Sequence, residues 1–205
     1  VSGPVVKASW PLARSAQAAV AAAAVAEVFR AVTVRAHHLR PQDTSSSASG
    51  FASMVSVYTM TAAVVLFLVW FTRCRRNAGL LSPEPLPGSA PWAVAGWLVP
   101  VVNLWVPRGL VLDVHRASGR GTVDRRDTVL VNVWWAAWVG RAVTGTVGTQ
   151  LGQGSSLVPL LVAEALNLAA GALAVAVIQR VTARQAEALG AALPVPGTAD
   201  LPSAS

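Results

Sequence analysis

Four charged side chains lie inside otherwise apolar runs of this sequence: Glu27, Arg30, Arg141 and Glu164. In hydrocarbon an unpaired charge costs about 2.5–3.5 kcal/mol on insertion scales. Such residues pair with one another, or they line a proton or ion pathway or a small-ligand site. Glu27 and Arg30 are spaced i, i+3 and meet on one helix face. Arg141 lies about nine residues from the end of its run, and Glu164 about eight residues into the next. A hairpin of the two runs sets both roughly 12–14 Å in from the connection, which predicts an Arg141–Glu164 pair. Asn167 is one helical turn from Glu164. The expectation is one intramembrane polar cluster of Glu27, Arg30, Arg141, Glu164 and Asn167. The plainer alternative is a set of self-neutralising pairs that only fix helix register.

Nothing in the sequence assembles a catalytic set. Asp113 and His115 are two residues apart and point to different sides of a helix. There is no Ser/His/Asp, Cys/His or metal-spaced cluster. His37 and His38 are adjacent, with no carboxylate group beside them, which makes a poor metal site. Cys74 is the single cysteine, so no intrachain disulfide forms. It reads as an inert thiol, with juxtamembrane palmitoylation as the alternative. No enzyme activity, metal or cofactor is expected.

The elements that must position these residues follow from composition. The chain has 205 residues, 54% of them hydrophobic and 12% charged, against roughly 25% charged in soluble domains. Fifteen of the sixteen basic residues are arginine, and the net charge is +7. The basic residues cluster at the ends of apolar runs, where they orient a membrane protein. They form no single soluble face, which argues against nucleic-acid binding.

The fold class expected is all-α: a membrane bundle of four transmembrane helices over about 12–34, 51–71, 128–150 and 157–179. The membrane domain runs over 10–190, with tails at 1–9 and 191–205, the latter disordered. In the first run a charged start, an apolar middle and Ala24-Val25-Ala26 make a cleaved signal peptide the rival reading. Against it, the helical pattern continues to Val34. Residues 51–71 have no charge and end in Trp70, Arg73, Arg75 and Arg76, an interfacial stop. Pro83, Pro85, Pro87 and Pro91 then enforce an extended loop. Ser155 or Ser156 can cap the last span. Gly140, Thr144, Gly148 and Gly152 recur at four-residue spacing, as do Ala165 and Ala169. That favours close packing of the last two spans, or alternatively a homo-oligomer face.

The segment 92–118 decides the topology. It is apolar, yet Pro100 and Pro107 interrupt it. If it does not cross, both termini lie on one side and the Lys and Arg residues outside the spans split twelve to two. If it crosses, the split is five to nine. Cytoplasmic loops carry the excess, so the segment is expected to be re-entrant or interfacial, with both termini cytoplasmic in the plasma membrane. Leu110, Val111, Val114 and Ala117 share one helix face, and Asp113, Arg116 and Arg120 another. That is an amphipathic helix suited to anionic inner-leaflet lipids.

Trp70-Phe71-Thr72-Arg73, Arg76-Asn77-Ala78, Pro91-Trp92, Gly96-Trp97, Pro100-Val101-Val102-Asn103-Leu104-Trp105, Pro107 and Asp113-Val114-His115-Arg116-Ala117-Ser118 form a combined motif. By that motif the chain resembles a family of bacterial, mainly actinobacterial, membrane proteins, the domain-of-unknown-function family 4328, strongly over roughly residues 50 to 120 and loosely over the flanking spans. His115 departs from the tryptophan that the resemblance leads one to expect. If that position anchors an interfacial helix, anchoring here is weaker or pH-sensitive. The resemblance implies a membrane protein and supplies no catalytic residue.

Two functions compete. One is a non-enzymatic scaffold with a basic, tryptophan-rich cytoplasmic face that meets the bilayer and partners. The other is a small transporter or channel that uses the broken segment around Asn103, since irregular backbone at membrane depth lines cavities or is buried in protein. Asn103 is then a polar contact, or more plainly a cap for freed backbone groups. A wet cavity reaching Asn103 from the Arg141/Glu164 cluster favours transport, and a solid apolar core favours the scaffold.

Overall fold

Pro11 opens the first helix in the first turn, where its missing N–H costs nothing. The computed structural model describes residues 8–43, 45–82, 85–99, 102–119, 124–150 and 157–191. Helix α1 spans Trp10–Leu39 and runs unbroken through Ala24-Val25-Ala26. Helix α2 spans Ser46–Leu81, with Ser45 accepting a hydrogen bond from the Ser47 amide at its start. Helix α3, Ala90–Leu98, is capped by Ser89. A short 3₁₀ turn at Val102–Leu104 leads into α4, Val106–Ser118. Helices α5, Arg125–Gln150, and α6, Leu157–Ala191, are the last of the described elements. No strand occurs among the described residues. Pro100, Gly152, the Ser155 and Ser156 caps and most of both tails lie outside those residues.

Among the described residues three helices, not four, are long and apolar enough to cross a membrane: α1, α2 and α6. Helix α5, expected as the third span, has 26 residues but is the least apolar of the long helices. Asn132, Arg141 and several Gly, Thr and Trp residues dilute its valines. Helix α3 has nine residues, about 14 Å of rise, half of a hydrocarbon core.

Helix α1 packs on α2 and α6, and α6 packs on α5. The register follows from named contacts. On α1 and α6, Gln17 donates to the Val175 carbonyl at 3.0 Å, and Asn167 donates to the Ala24 carbonyl at 3.1 Å. A Cβ on Gly171 would stand 3.0 Å from that of Ala24, so the two backbones are close. Alanines supply most of the buried face of α1, which permits this approach. Helix α5 runs antiparallel to α6, with Asp127 against Arg180 and Gly140 against Leu166. Helix α2 runs parallel to α6, with Trp70 donating to the Thr182 hydroxyl at 3.1 Å and Gln185 donating to the Cys74 carbonyl at 2.7 Å. The start of α1, the end of α2, the start of α5 and the end of α6 therefore share one end of the bundle.

Helix α4 lies at that end and packs on α2, α5 and α6. Its face of Leu110, Val111, Val114 and Ala117 is buried in the protein core rather than offered to a lipid surface. The bundle itself covers that apolar side. Outward, the long helices present Val25, Phe29, Val57, Val65, Val133, Val143, Leu161 and Leu168. Inward they bury Gln17, Glu27, Ser56, Asn167, Thr182 and Gln185. An apolar outer surface, with the polar residues of the spans turned into an otherwise apolar interior, suits lipid as solvent.

Candidate functional site

Glu27 is the hub of the polar cluster. Arg30 grips its carboxylate with two donors, at 2.9 and 2.6 Å. Ser56 of α2 donates to it at 2.7 Å. Arg141 of α5 approaches the same carboxylate at 3.5 Å. The partner expected for Arg141 was Glu164, but the guanidinium turns to Glu27 instead. Matched depth along α5 and α6 did not fix orientation, because α1 places a second carboxylate within reach. Glu164 stays in electrostatic range of Glu27, Arg141 and Arg30, and Asn167 donates to it at 3.4 Å. Asn167 has a further task, the bond to the Ala24 carbonyl that ties α6 to α1.

Beside the hub lies a cavity of about 180 Å³. Helix α1 contributes Val20 and Ala23, α2 Ala63 and Phe67, α5 Trp134 and Trp138, and α6 Ala170 and Gly171. Its wall is mostly apolar. Arg141, Asn167, Trp97 and Asn103 border it as well, so one cavity joins the hub to the broken segment. Trp97 packs against Phe67 at 4.7 Å, Phe71 at 5.5 Å and Trp134 at 6.2 Å between ring centroids. Aromatic pairs at such spacings contribute beyond their buried area. The Trp97 indole nitrogen and the Asn103 side-chain oxygen are both buried without a hydrogen-bond partner. The Asn103 backbone amide donates to the Val99 carbonyl at 2.8 Å. Its side-chain oxygen thus caps no freed backbone group.

The other motif residues divide between structure and surface. A Cβ on Gly96 would meet a Val106 methyl at 2.8 Å, so only glycine lets α3 close on α4. Pro107 is fully buried in the first turn of α4. Asp113 and Arg116 pair with each other at 3.0 Å. Trp92 and Trp105 are exposed, by 45% and 60%. His115 points inward rather than to an interface. Both ring nitrogens are buried without partners. Burial lowers its pKa, Asp127 opposes the shift, and Arg184 and Arg180 add to it.

Three groups escaped the sequence reading. Arg75, read there as part of a stop signal, is buried and donates to the Pro87 and Gly88 carbonyls, each at 2.6 Å. It pins the turn where Gly88 adopts φ 76° ahead of α3. Gln185 links the Cys74 carbonyl and the Ser118 hydroxyl. Asp127 and Asp124 pair with Arg180 and Arg184. Asp124 and Asp127 near the start of α5 were the available signal for the last of these. Gln185 had none, since a neutral polar residue does not announce its partner, and the charge of Arg75 fits a stop signal as well as a buried contact. Among the described residues, no group of three or more His, Cys, Asp or Glu could hold a metal ion.

Long apolar helices, an outward apolar surface and a buried polar hub define a helical membrane protein. The chain belongs to the family described as domain of unknown function (DUF4328), whose model matches residues 35–183. That range takes in α2 to α5 and most of α6, and begins after Glu27 and Arg30. No curated protein and no solved structure matches the chain.

Proposed function

We propose that this chain is a non-enzymatic, four-span protein of the plasma membrane, both termini cytoplasmic, that takes a small molecule into the bundle. The single observation carrying the reading is the cavity that joins Arg141 and Asn167 to Asn103. A solid core between them would have favoured the scaffold. The mostly apolar wall suits a small molecule better than a hydrated ion path.

Four spans are favoured by the α5–α6 register. Asp127 meets Arg180 and Gly140 meets Leu166, so α5 follows α6 through whatever thickness α6 crosses. Orientation rests on charge. Arg73, Arg76, Arg108, Arg116, Arg125 and Arg126 gather at the α4 end, while Arg35 and Arg40 lie at the other. Segment 92–118 then enters from the cytoplasmic side as a re-entrant element and returns through α4. Exposed Trp92 and Trp105, with Arg116, Arg125 and Arg126, form a face suited to anionic inner-leaflet lipids. That face supports the scaffold as the second reading.

Substituted cysteines in a Cys74→Ala background test both parts. Gln42→Cys should react with an impermeant maleimide on intact cells, and Arg116→Cys and Glu187→Cys only after permeabilisation. Arg116→Cys and Glu187→Cys on opposite sides would refute four spans. Ala170→Cys, in the cavity wall, should react with a small permeant thiosulfonate, and Ala16→Cys, in the solid core, should not. An unreactive Ala170→Cys would refute the small-molecule reading.

A further inference from the structure

Two stripes of side chains line the cavity from helices that are not packed on each other. Helix α2 contributes Met60, Ala63, Val64, Phe67 and Leu68, and α5 contributes Trp134, Trp138 and Arg141. Spacings of three and four residues put each set on one helix face. Helix α2 packs on α1, α5 packs on α6, and α1 and α6 pack together behind the cavity. Between α2 and α5 contact is at most marginal. Val64 marks that gap, because it lines the cavity and is still 41% exposed. It lies at mid-span, between Ser56, which meets Glu27, and Trp70, which meets Thr182. We propose that the cavity opens sideways to the bilayer between α2 and α5 and takes the alkyl tail of a single-tailed amphiphile dissolved in the membrane. This rests on the small-molecule reading above and adds the class of the molecule and its route.

The two ends of the bundle are poorer routes for such a molecule. At the cytoplasmic end Trp97 packs on Phe67, Phe71 and Trp134, and α4 packs on α2, α5 and α6. At the outer end stand the paired charges of Glu27, Arg30 and Arg141, and an alkyl chain passing among them would desolvate charge. The side between α2 and α5 has neither obstacle. It is continuous with the outward apolar surface, since Val65 and Val133, the sequence neighbours of Val64 and Trp134, are exposed. Size narrows the occupant further. An apolar cavity of about 150 Å³ is known to hold benzene, and this one is about 180 Å³, so part of one chain enters and the body of a two-tailed lipid stays outside. A second copy of the protein cannot fill it, because a helix with its side chains is about 10–12 Å across. An alkyl tail has no hydration to lose on moving from lipid to a wall of alkyl and aromatic groups, whereas a charged or strongly hydrated molecule does.

Two thiol reagents are the probes: octyl methanethiosulfonate, which dissolves in the bilayer, and trimethylammonium-ethyl methanethiosulfonate, which stays in water. The full chain carrying Cys74→Ala and Ala170→Cys is placed in phosphatidylcholine–phosphatidylglycerol nanodiscs. Cys74→Ala with Leu168→Cys, on the outward surface, is the reference. The octyl reagent should modify both thiols and the charged reagent neither. Val64→Trp should slow octyl modification of Ala170→Cys by roughly tenfold or more, because an indole overpacks the gap, and should leave Leu168→Cys unchanged. Octanol should protect Ala170→Cys and not Leu168→Cys. Faster modification of Ala170→Cys by the charged reagent, indifference to Val64→Trp, or no protection by octanol would overturn the proposal. So would an Ala170→Cys that reacts with a small permeant thiosulfonate but not with the octyl reagent, a result that keeps the small-molecule reading. An Ala170→Cys inert to every thiosulfonate removes both.

Discussion

Arg141 on α5 reaches the Glu27 carboxylate on α1 at 3.5 Å, although α1 and α5 are separated in the packing order by α6. Glu27 thereby links three helices, through Arg30 on its own helix, Ser56 on α2 and Arg141 on α5. A carboxylate with that many partners is the member whose loss strands the most charge.

Glu27→Ala should destabilise the bundle by about 1–3 kcal/mol, since it leaves the partly buried cations Arg30 and Arg141 without their carboxylate. Glu164→Gln should cost less, because its one hydrogen bond among the described residues comes from Asn167. Thermal unfolding in detergent compares the two. A larger loss for Glu164→Gln would show that the hub is misassigned.

Gly96→Ala should lower stability by about 1–3 kcal/mol, because the added methyl meets Val106 at 2.8 Å. Val106→Ala on the same background should recover most of it. The pair of melting curves decides whether contact between α3 and α4 is the cause.

His115 makes the fold pH-dependent. Its pKa in the folded chain is lowered by burial, against about 6.5 unfolded. Below about pH 6.5 the unfolded chain binds the proton and the folded one resists it, so stability is full above that pH and falls as pH drops through it. Asp127 limits the effect, and Arg184 and Arg180 deepen it. Melting temperature followed from pH 8 to 5 should decline, and His115→Phe should flatten the decline.

Arg75→Met should free the turn before α3, because it removes both bonds to the Pro87 and Gly88 carbonyls. Hydrogen bonds from a charged donor contribute about 1.5–3 kcal/mol. Limited proteolysis should cut near Gly88 faster in the variant, with the bundle otherwise intact. Unchanged cleavage would mean that the loop is held by something else.

The helical class, three of the long apolar helices and the breaking of segment 92–118 were legible in the sequence, because apolar run length and proline act locally. The apolarity of α5 was overestimated. Its Trp134 packs into the aromatic core with Trp97. The partner of Arg141 was not legible, since depth along two helices says nothing about a third. Nor was the destination of the α4 apolar face. A periodic stripe states that it will be covered, and a lipid surface and a protein core cover it equally well. His115 shows the same gap: a polar ring in a helix reads as surface until its neighbours are known.

The position of α1 between α2 and α6 bears on how the molecule is made. On the order of a hundred residues separate the end of α1 from the start of α6, about ten seconds of synthesis. Through that interval the face of α1 with Gln17 and Ala24 has only membrane or other chains to touch. Its alanines drive insertion weakly, and of the two cations at Glu27 only Arg30 is present from the start, Arg141 arriving with α5. The fold is therefore sealed late, when α6 slides in against α1, and a ribosome that stalls before α6 leaves an open-sided intermediate that quality control can recognise by its unfilled flank.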